Sequence, residues 1–340
     1  MMQTQDTLRP IFVVGNSRSG TTLVGRILGR DPTVFTFNEL HFFEELWNPD
    51  DKPTELSPTE AIDLFAELLN IQRNGYLTRG KTADFISEAD SLVSELQPPF
   101  SPLSIFGAFL DYETKKSGKT RPCEQTPQNT LYIGEILREF PEARVIHIVR
   151  DPRDILLSQK RRWKRPFLAD NIPKKQAIRY WLNYHPITIS KIWQGNINSV
   201  SKFARDSRVK EVRFEDLVSN PQQIVSEICQ FLDLTYSEEL LAVPSIGSSN
   251  TRDDSAISGL DRSKVQNWCS GGLKEVEIFW CQRFTQILME KYGYELKAIS
   301  PNPLNLALSL LSFPIKLALA IPFSLNRVRN LKTAIARRLT

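Results

Sequence analysis

Pro10-Ile11-Phe12-Val13-Val14-Gly15-Asn16-Ser17-Arg18-Ser19-Gly20-Thr21-Thr22 decides the fold of this 340-residue chain. Pro10 to Val14 is a short apolar run that reads as a buried parallel strand, and Thr21 to Leu28 reads as the helix it feeds. Gly15 and Gly20 bracket the turn between them. In such a turn the backbone N–H groups and the positive end of the helix converge on one point, which favours an anion. The spacing is that of a phosphate-binding loop, with one departure. Thr21 stands where nucleoside-triphosphate loops place the lysine that reaches the outer phosphates. A triphosphate site or a kinase is therefore disfavoured. The nearest cation is Arg18, whose planar five-donor fork suits a tetrahedral oxyanion, so no metal site is expected.

Further along, Ala143-Arg144-Val145-Ile146-His147-Ile148-Val149 reads as a second apolar parallel strand, running into Arg150-Asp151-Pro152-Arg153-Asp154. Asp151 is a good N-cap, Pro152 suits the first turn and Asp154 complements the helix N-terminus, so a helix begins there and carries Ser158 about two turns in. Thr33 to Phe37 reads as another strand, with Asn38 and Glu39 at its carboxyl end. That is the edge of an open α/β sheet where ligands collect. A carboxylate such as Glu39 needs its pKa raised by burial to be an effective base at neutral pH, and Phe35, Phe37, Phe42, Phe43 and Trp47 are at hand to bury it.

Arg18-Ser19-Gly20-Thr21-Thr22 resembles the 5′-phosphosulfate loop of sulfotransferases that use 3′-phosphoadenosine 5′-phosphosulfate (PAPS). The resemblance extends to Arg150 with Ser158 eight residues later, the pattern of that family's 3′-phosphate motif. It continues in Arg213-Phe214-Glu215-Asp216-Leu217 and covers about residues 10 to 293. It implies that Arg18, Ser19, Gly20, Thr21 and Thr22 hold the 5′ end of the co-substrate and that Arg150 and Ser158 hold its 3′-phosphate. Ser258 to Trp268 is similar to the family's closing loop, which implies phosphate contacts from Arg262 and Ser263 and an anchor in Trp268. The alternative is a core Trp268 and a solvated Arg262. Glu39 lies 21 residues after Arg18, the spacing of the catalytic glutamate in tyrosylprotein and related sulfotransferases, which implies a general base. Its alternative is a cap or ion-pair carboxylate, and His41 reads as an ordinary histidine. Cys123-Glu124-Gln125-Thr126-Pro127 departs from the family at Gln125, where many relatives have Lys beside the bridging oxygen. Leaving-group stabilisation then falls on Arg18 and the loop amides, unless another Lys or Arg reaches in.

The expected fold class is α/β, a P-loop-like three-layer sandwich with a central parallel sheet flanked by helices. Residues 1 to 300 form the expected sulfotransferase domain. Within it, Ser57 to Glu139 reads as mainly helical, with helices at 57–70 and 99–117; a long helical region kinked at Pro186 follows, then a strand at 209–214. The four cysteines have no zinc-type spacing and read as reduced and buried. Met1 to Arg9 is polar, without a leader pattern, which points to the cytoplasm.

Residues 301 to 340 differ in character. Pro303 to Phe323 is rich in Leu, Ala, Ile and Phe with Lys316 as its one charge, while 324 to 340 holds five cations and no acid, against a net charge of +4 for the whole chain. The basic character thus sits at one end, and general nucleic-acid binding is not expected. Pro314 and Pro322 interrupt the apolar stretch, which favours a pair of helices lying in a membrane interface over a span. The resemblance and the tail together imply sulfuryl transfer to a hydroxyl acceptor, a glycan or lipid-linked sugar, on an enzyme peripheral to an anionic membrane. A protein-tyrosine acceptor is the alternative within the family. A catalytically weakened nucleotide-binding or membrane-scaffold protein is the alternative outside it.

Overall fold

The computed structural model describes residues 8–49, 55–167, 172–174, 176–245 and 254–324. Five strands, β1 (Ile11–Gly15), β2 (Val34–Thr36), β3 (Arg121–Glu124), β4 (Arg144–Val149) and β5 (Val209–Arg213), form one parallel sheet in the order β2-β3-β1-β4-β5. The helices are α1 (Thr21–Gly29), α2 (Pro58–Asn74), α3 (Ile86–Ser94), α4 (Pro102–Lys116), α5 (Ile133–Glu139) and α6 (Pro152–Arg161). They continue as α7 (Gln176–Leu182), α8 (Pro186–Ser201), α9 (Phe214–Ser219), α10 (Pro221–Leu232), α11 (Glu275–Lys291) and α12 (Pro303–Ser324). A two-stranded antiparallel ribbon, β6 (Pro244–Ser245) with β7 (Asp254–Ser258), lies outside the sheet.

Alternation along β1 builds the layers. Phe12 and Val14 face one apolar core with residues of α2, α4 and α5, whereas Ile11 and Val13 face another with Val24, Ile27 and Leu28 of α1 and residues of α9 and α10. All five β1 residues are buried, as a strand covered on both faces requires. A third cluster joins Val149, Ile155 and Leu156 to Trp193 of α8 and to Cys281 and Met289 of α11. Because β1 lies between β3 and β4, the chain leaves the carboxyl ends of β1 and β4 towards opposite sides of the sheet. That opens the crevice typical of such a switch point.

The expected three-layer α/β fold is present, with corrections at three places. The segment read as mainly helical from Ser57 to Glu139 contains β3. Arg121-Pro122-Cys123-Glu124 lacks the apolar alternation that marks a strand, and Pro122 argues against one. Only Cys123 and Glu124 pair with β1, while Pro122 faces Phe35 of β2, so the strand becomes central just after its proline. The apolar C-terminal stretch, read as two helices, is one helix through Pro314 and Pro322. The basic stretch 325–340 lies outside the described residues. Three cysteines are buried as expected, but Cys269 is exposed; all four thiols are free.

Local signals set the other boundaries. Ser57 and Glu60 form a reciprocal capping box on α2, and Ser101 and Ser104 form one on α4, each followed by proline at the first helical position. Pro186 separates α7 from α8, with the His185 side chain accepting from the Ile187 N–H. Lys119 donates to the carbonyls of Gly29, Asp31 and Val34, tying the end of α1 and the start of β2 to the approach of β3.

Candidate active site

The loop after β1 closes tightly on itself. Ser19 donates through both its backbone N–H and its hydroxyl to the Asn16 carbonyl, at 2.9 and 2.7 Å. Two left-handed residues turn the chain into α1: Arg18 at φ 79° and Gly20 at φ 107°. A Cβ on Gly20 would lie 2.6 Å from the Phe214 ring, and one on Gly15 would lie 2.7 Å from the Ile148 carbonyl. Gly15 is therefore set by close approach, and Gly20 by close approach and conformation together. Ser19 and Thr21 are buried and Thr22 is half-buried. The α1 N-terminus has no side-chain cap.

Arg150, just beyond β4, fastens this loop. Its guanidinium donates to the Arg18 carbonyl at 2.9 Å and to the Lys264 carbonyl at 2.6 Å, and it lies 4.3 Å over the Phe214 ring. The Nε of Arg150 is buried and has no hydrogen-bond partner among the described residues, and the same holds for Asn16 Nδ2. Burial pushes the Arg150 pKa down, while Asp154, Glu215 and Asp151 pull it back up. From α6, the Ser158 hydroxyl accepts from Arg18 Nε at 3.0 Å, so the two phosphate motifs read from the sequence meet directly. The α6 entry is held as expected: the Asp151 side chain accepts from the Arg153 N–H at 2.8 Å.

The closing loop arrives differently from the expectation. Arg262 donates to the Ser219 carbonyl at 3.2 Å, the Ser263 N–H donates to Asp261 at 2.9 Å, and both side chains are exposed. The loop reaches Arg150 through the Lys264 carbonyl, which side-chain patterns cannot reveal. Trp268 is buried in a core cluster with Leu157 and Ile278 while Arg262 is exposed, the arrangement of the alternative reading. The Trp268 backbone N–H donates to Asp154 at 2.9 Å and its ring lies under Arg153 at 4.0 Å, next to the Arg153–Asp151 ion pair.

Glu39, three residues beyond the carboxyl end of β2, has 40% of its side chain exposed. It is not sealed among Phe35, Phe37, Phe42, Phe43 and Trp47. Phe42, for example, stacks instead on Phe106 at 4.1 Å in the core. The His41 ring sits 3.5 Å from Glu39 and 3.7 Å from Glu45. Burial acts to raise the Glu39 pKa, but the His41 hydrogen bond and charge, with Arg162 and Arg18, bring it below its ordinary value. The expected upward shift is thus reversed. His41 moves the other way: burial lowers it, but the carboxylates of Glu39, Glu45 and Glu124 raise it further. The two shifts oppose each other: Glu39 is held below and His41 above its ordinary value by their mutual contact.

Gln125 donates to the Phe37 carbonyl at 2.9 Å, and its Oε1 fills the space that Gly25 leaves by lacking a Cβ. No cation comes from that position. Positive charge comes instead from Arg162 and Arg165, in the 3-10 turn Arg162–Phe167 that continues α6. Burial, Arg162 and Arg150 hold the Arg18 pKa down to about 10. The basic run Lys160 to Arg165 was the available signal for these two arginines. Glu124 was also missed. It is buried, accepts from the N–H groups of Leu40 and Thr126, from the Thr126 hydroxyl and from the Asn129 amide, and so fixes the turn that presents Glu39.

A model of the sulfotransferase family matches residues 10–238. An uncharacterised protein of Aquifex aeolicus (strain VF5) is 24% identical over 275 residues, 76% of this chain but 30% of its own length, so the chain spans under a third of that relative. A Caenorhabditis briggsae protein named as a candidate protein-tyrosine sulfotransferase is 25% identical over 68% of each chain. The sulfotransferase domain of the Synechococcus PCC 7002 olefin synthase shares the fold, with a TM-score of 0.51 at 21% identity, covering 87% of this chain and 99% of that domain.

Proposed function

The chain belongs to the sulfotransferase family, and from that premise we propose that residues 1–300 catalyse sulfuryl transfer from PAPS to a hydroxyl acceptor, a glycan or lipid-linked sugar, while 301–340 attach the enzyme to a membrane surface. The observation that carries the reading is the meeting of Arg18 with Ser158 beside the unpartnered, buried Nε of Arg150. A buried guanidinium N–H without an acceptor costs free energy that an anionic ligand would recover. The residues fit the co-substrate. Arg18, Ser19, Gly20, Thr21 and Thr22 would hold its 5′ end against the uncapped α1 N-terminus, and Arg150 and Ser158 its 3′-phosphate, with Arg262 and Ser263 closing over them.

When bound, PAPS supplies the sulfuryl group and leaves as 3′-phosphoadenosine 5′-phosphate (PAP). The protein's part is to accept the proton of the acceptor hydroxyl at a Glu39 carboxylate oxygen and to stabilise charge developing on the leaving phosphate. Glu39 is ionised at neutral pH and so can accept that proton, although with its pKa held below the ordinary value it is a weaker base than the sequence reading required. Arg18, with Arg162 and Arg165 close enough to act on it, meets the leaving charge that Gln125 cannot.

Calorimetry tests the assignment: PAP should bind far more tightly than AMP, and Ser158→Ala and Arg150→Ala should erase most of the difference, about 1.5 to 3 kcal/mol for a charge-assisted contact. Equal binding of PAP and AMP by the wild type would refute it. The name of the C. briggsae relative favours a second acceptor class, tyrosine. Transfer of labelled sulfate to sugars, glycolipids and tyrosine peptides separates the two. A chain that binds PAP but transfers to none of them is the weakened nucleotide-binding protein that Gln125 would permit.

A further inference from the structure

The last described helix turns polar groups, beside Phe313, toward the protein. Ser309, Ser312 and Lys316 of α12 face the protein: His185 bonds the Ser309 carbonyl and the Ser312 hydroxyl at 3.2 and 3.3 Å, and Lys316 donates to the Tyr184 carbonyl at 3.0 Å. Leu304, Leu308, Leu311, Ile315 and Leu319, spaced three or four apart, form the opposite stripe, and each is between 49% and 66% exposed. A helix on a water-facing surface has the reverse polarity.

The exposed apolar surface does not stop at α12. This helix packs on α7, and α7 packs on the Arg162–Phe167 turn. Those two elements add Ile178 and Trp181, 59% and 53% exposed, and Trp163 and Phe167, 40% and 53% exposed. Cations border the same surface: Lys164 is exposed, Arg162 lies 4.4 Å over Tyr180, and Lys316 lies 4.3 Å over Trp181. Leucines with tryptophans and cations at their edge are the composition of a surface lying at the lipid headgroup boundary. The sequence beyond α12 continues with five cations and no acid, which complements an anionic leaflet. A transmembrane span does not fit, because one side of α12 is committed to α7 and to His185.

We propose that α12, α7 and the Arg162–Phe167 turn together form one face that docks on an anionic bilayer, and that the acceptor is the headgroup hydroxyl of a lipid resident in that bilayer. The second half rests on the sulfotransferase reading. The link between the halves is the turn itself: it carries Trp163 and Phe167 to the lipid, and it directly continues α6, whose Ser158 bonds Arg18 of the phosphate loop at 3.0 Å. Docking therefore brings the mouth of the cleft to the headgroups, where a hydroxyl can reach Glu39 without its lipid leaving the membrane.

The test uses the full chain and phosphatidylcholine vesicles with or without phosphatidylserine. The wild type should co-sediment with the phosphatidylserine vesicles. Both Trp163→Glu/Ile178→Glu and Leu308→Glu/Leu311→Glu should lower partition by at least about tenfold, since each removes two exposed apolar side chains from the lipid. Leu308 and Leu311 lie on α12, outside the turn that carries Arg162 and Arg165, so that pair should leave PAP affinity and transfer to a free sugar unchanged, while transfer to a galactosylceramide in the vesicles falls with partition. The proposal is overturned if the wild type stays in the supernatant, or if Trp163→Glu/Ile178→Glu sediments like the wild type. It is also overturned if the wild type is a stable dimer that Leu308→Glu/Leu311→Glu dissociates, because a second copy then covers the face. PAP binding is read separately by calorimetry, so its failure undoes the sulfotransferase reading and not the docking.

Discussion

Glu39 illustrates how neighbours set what a residue can do. His41, Arg162 and Arg18 hold its pKa below the ordinary value and so keep it ionised at neutral pH; Glu39→Gln should lower turnover at least about 10²-fold while leaving PAP affinity intact, measured by initial rates and calorimetry. His41→Asn should leave the base in place but remove the partner that depresses its pKa. Activity that needs an ionised Glu39 is lost as pH falls through that pKa, so the acid limb of the kcat profile should move to higher pH; an unmoved limb would show that another group governs it. Arg18→Ala should abolish turnover, and Gln125→Lys should raise it by restoring a cation along the glycine-lined side of α1, as read by single-turnover sulfate transfer. If Gln125→Lys is slower with PAP binding intact, Arg18, Arg162 and Arg165 already complete the charge. Arg18, Arg150 and Ser158 were legible because each sits at a fixed step from a strand end. Glu124 and the His41 pairing were not, and the basic run that marks Arg162 and Arg165 does not say where they point, because all of these converge only through the turn of α6 and the packing of β3 against the Glu39 segment.

Among the elements, β3 carries a measurable cost. Burial pushes Glu124 up to about 7, above an ordinary carboxylate near 4.5. The folded protein therefore holds a proton in that interval that the unfolded chain has released, so stability should fall as pH rises from about 4.5 to about 7 and then level off. Chemical denaturation across that range should show the slope, and Glu124→Gln should flatten it. Strands β1, β4 and β5 and helices α2, α4 and α6 could be anticipated from apolar runs, capping boxes and proline positions, because each of those signals is local. β3 could not, since what makes Arg121 to Glu124 a strand is the neighbouring backbone of β1 and β2 and the bond from the Arg121 guanidinium to the Leu232 carbonyl. The single α12 escaped the reading because Pro314 is tolerated inside it, although its apolar character was plain from composition.

For the molecule as a whole, the opposed characters of the two ends give salt opposite leverage on binding and on structure. The sheet and its cores are held by apolar packing and should keep their thermal midpoint between low and high salt, whereas attachment to phosphatidylserine vesicles should weaken steeply, because exposed charges separated by more than about 10 Å are screened at 0.1 M. The two contacts of Arg150 bear on time more than on energy. One side chain bonds the carbonyl of Arg18 in the loop and the carbonyl of Lys264 in the closing segment. On the proposed binding mode a nucleotide beneath that bridge would depart only when it parts, so release of PAP should be slower than chemistry, and the sulfated product should leave before it. Turnover would then begin with a burst, and Arg150→Lys, whose single ammonium cannot span both carbonyls along the same line, should shorten the residence time of PAP and erase that burst.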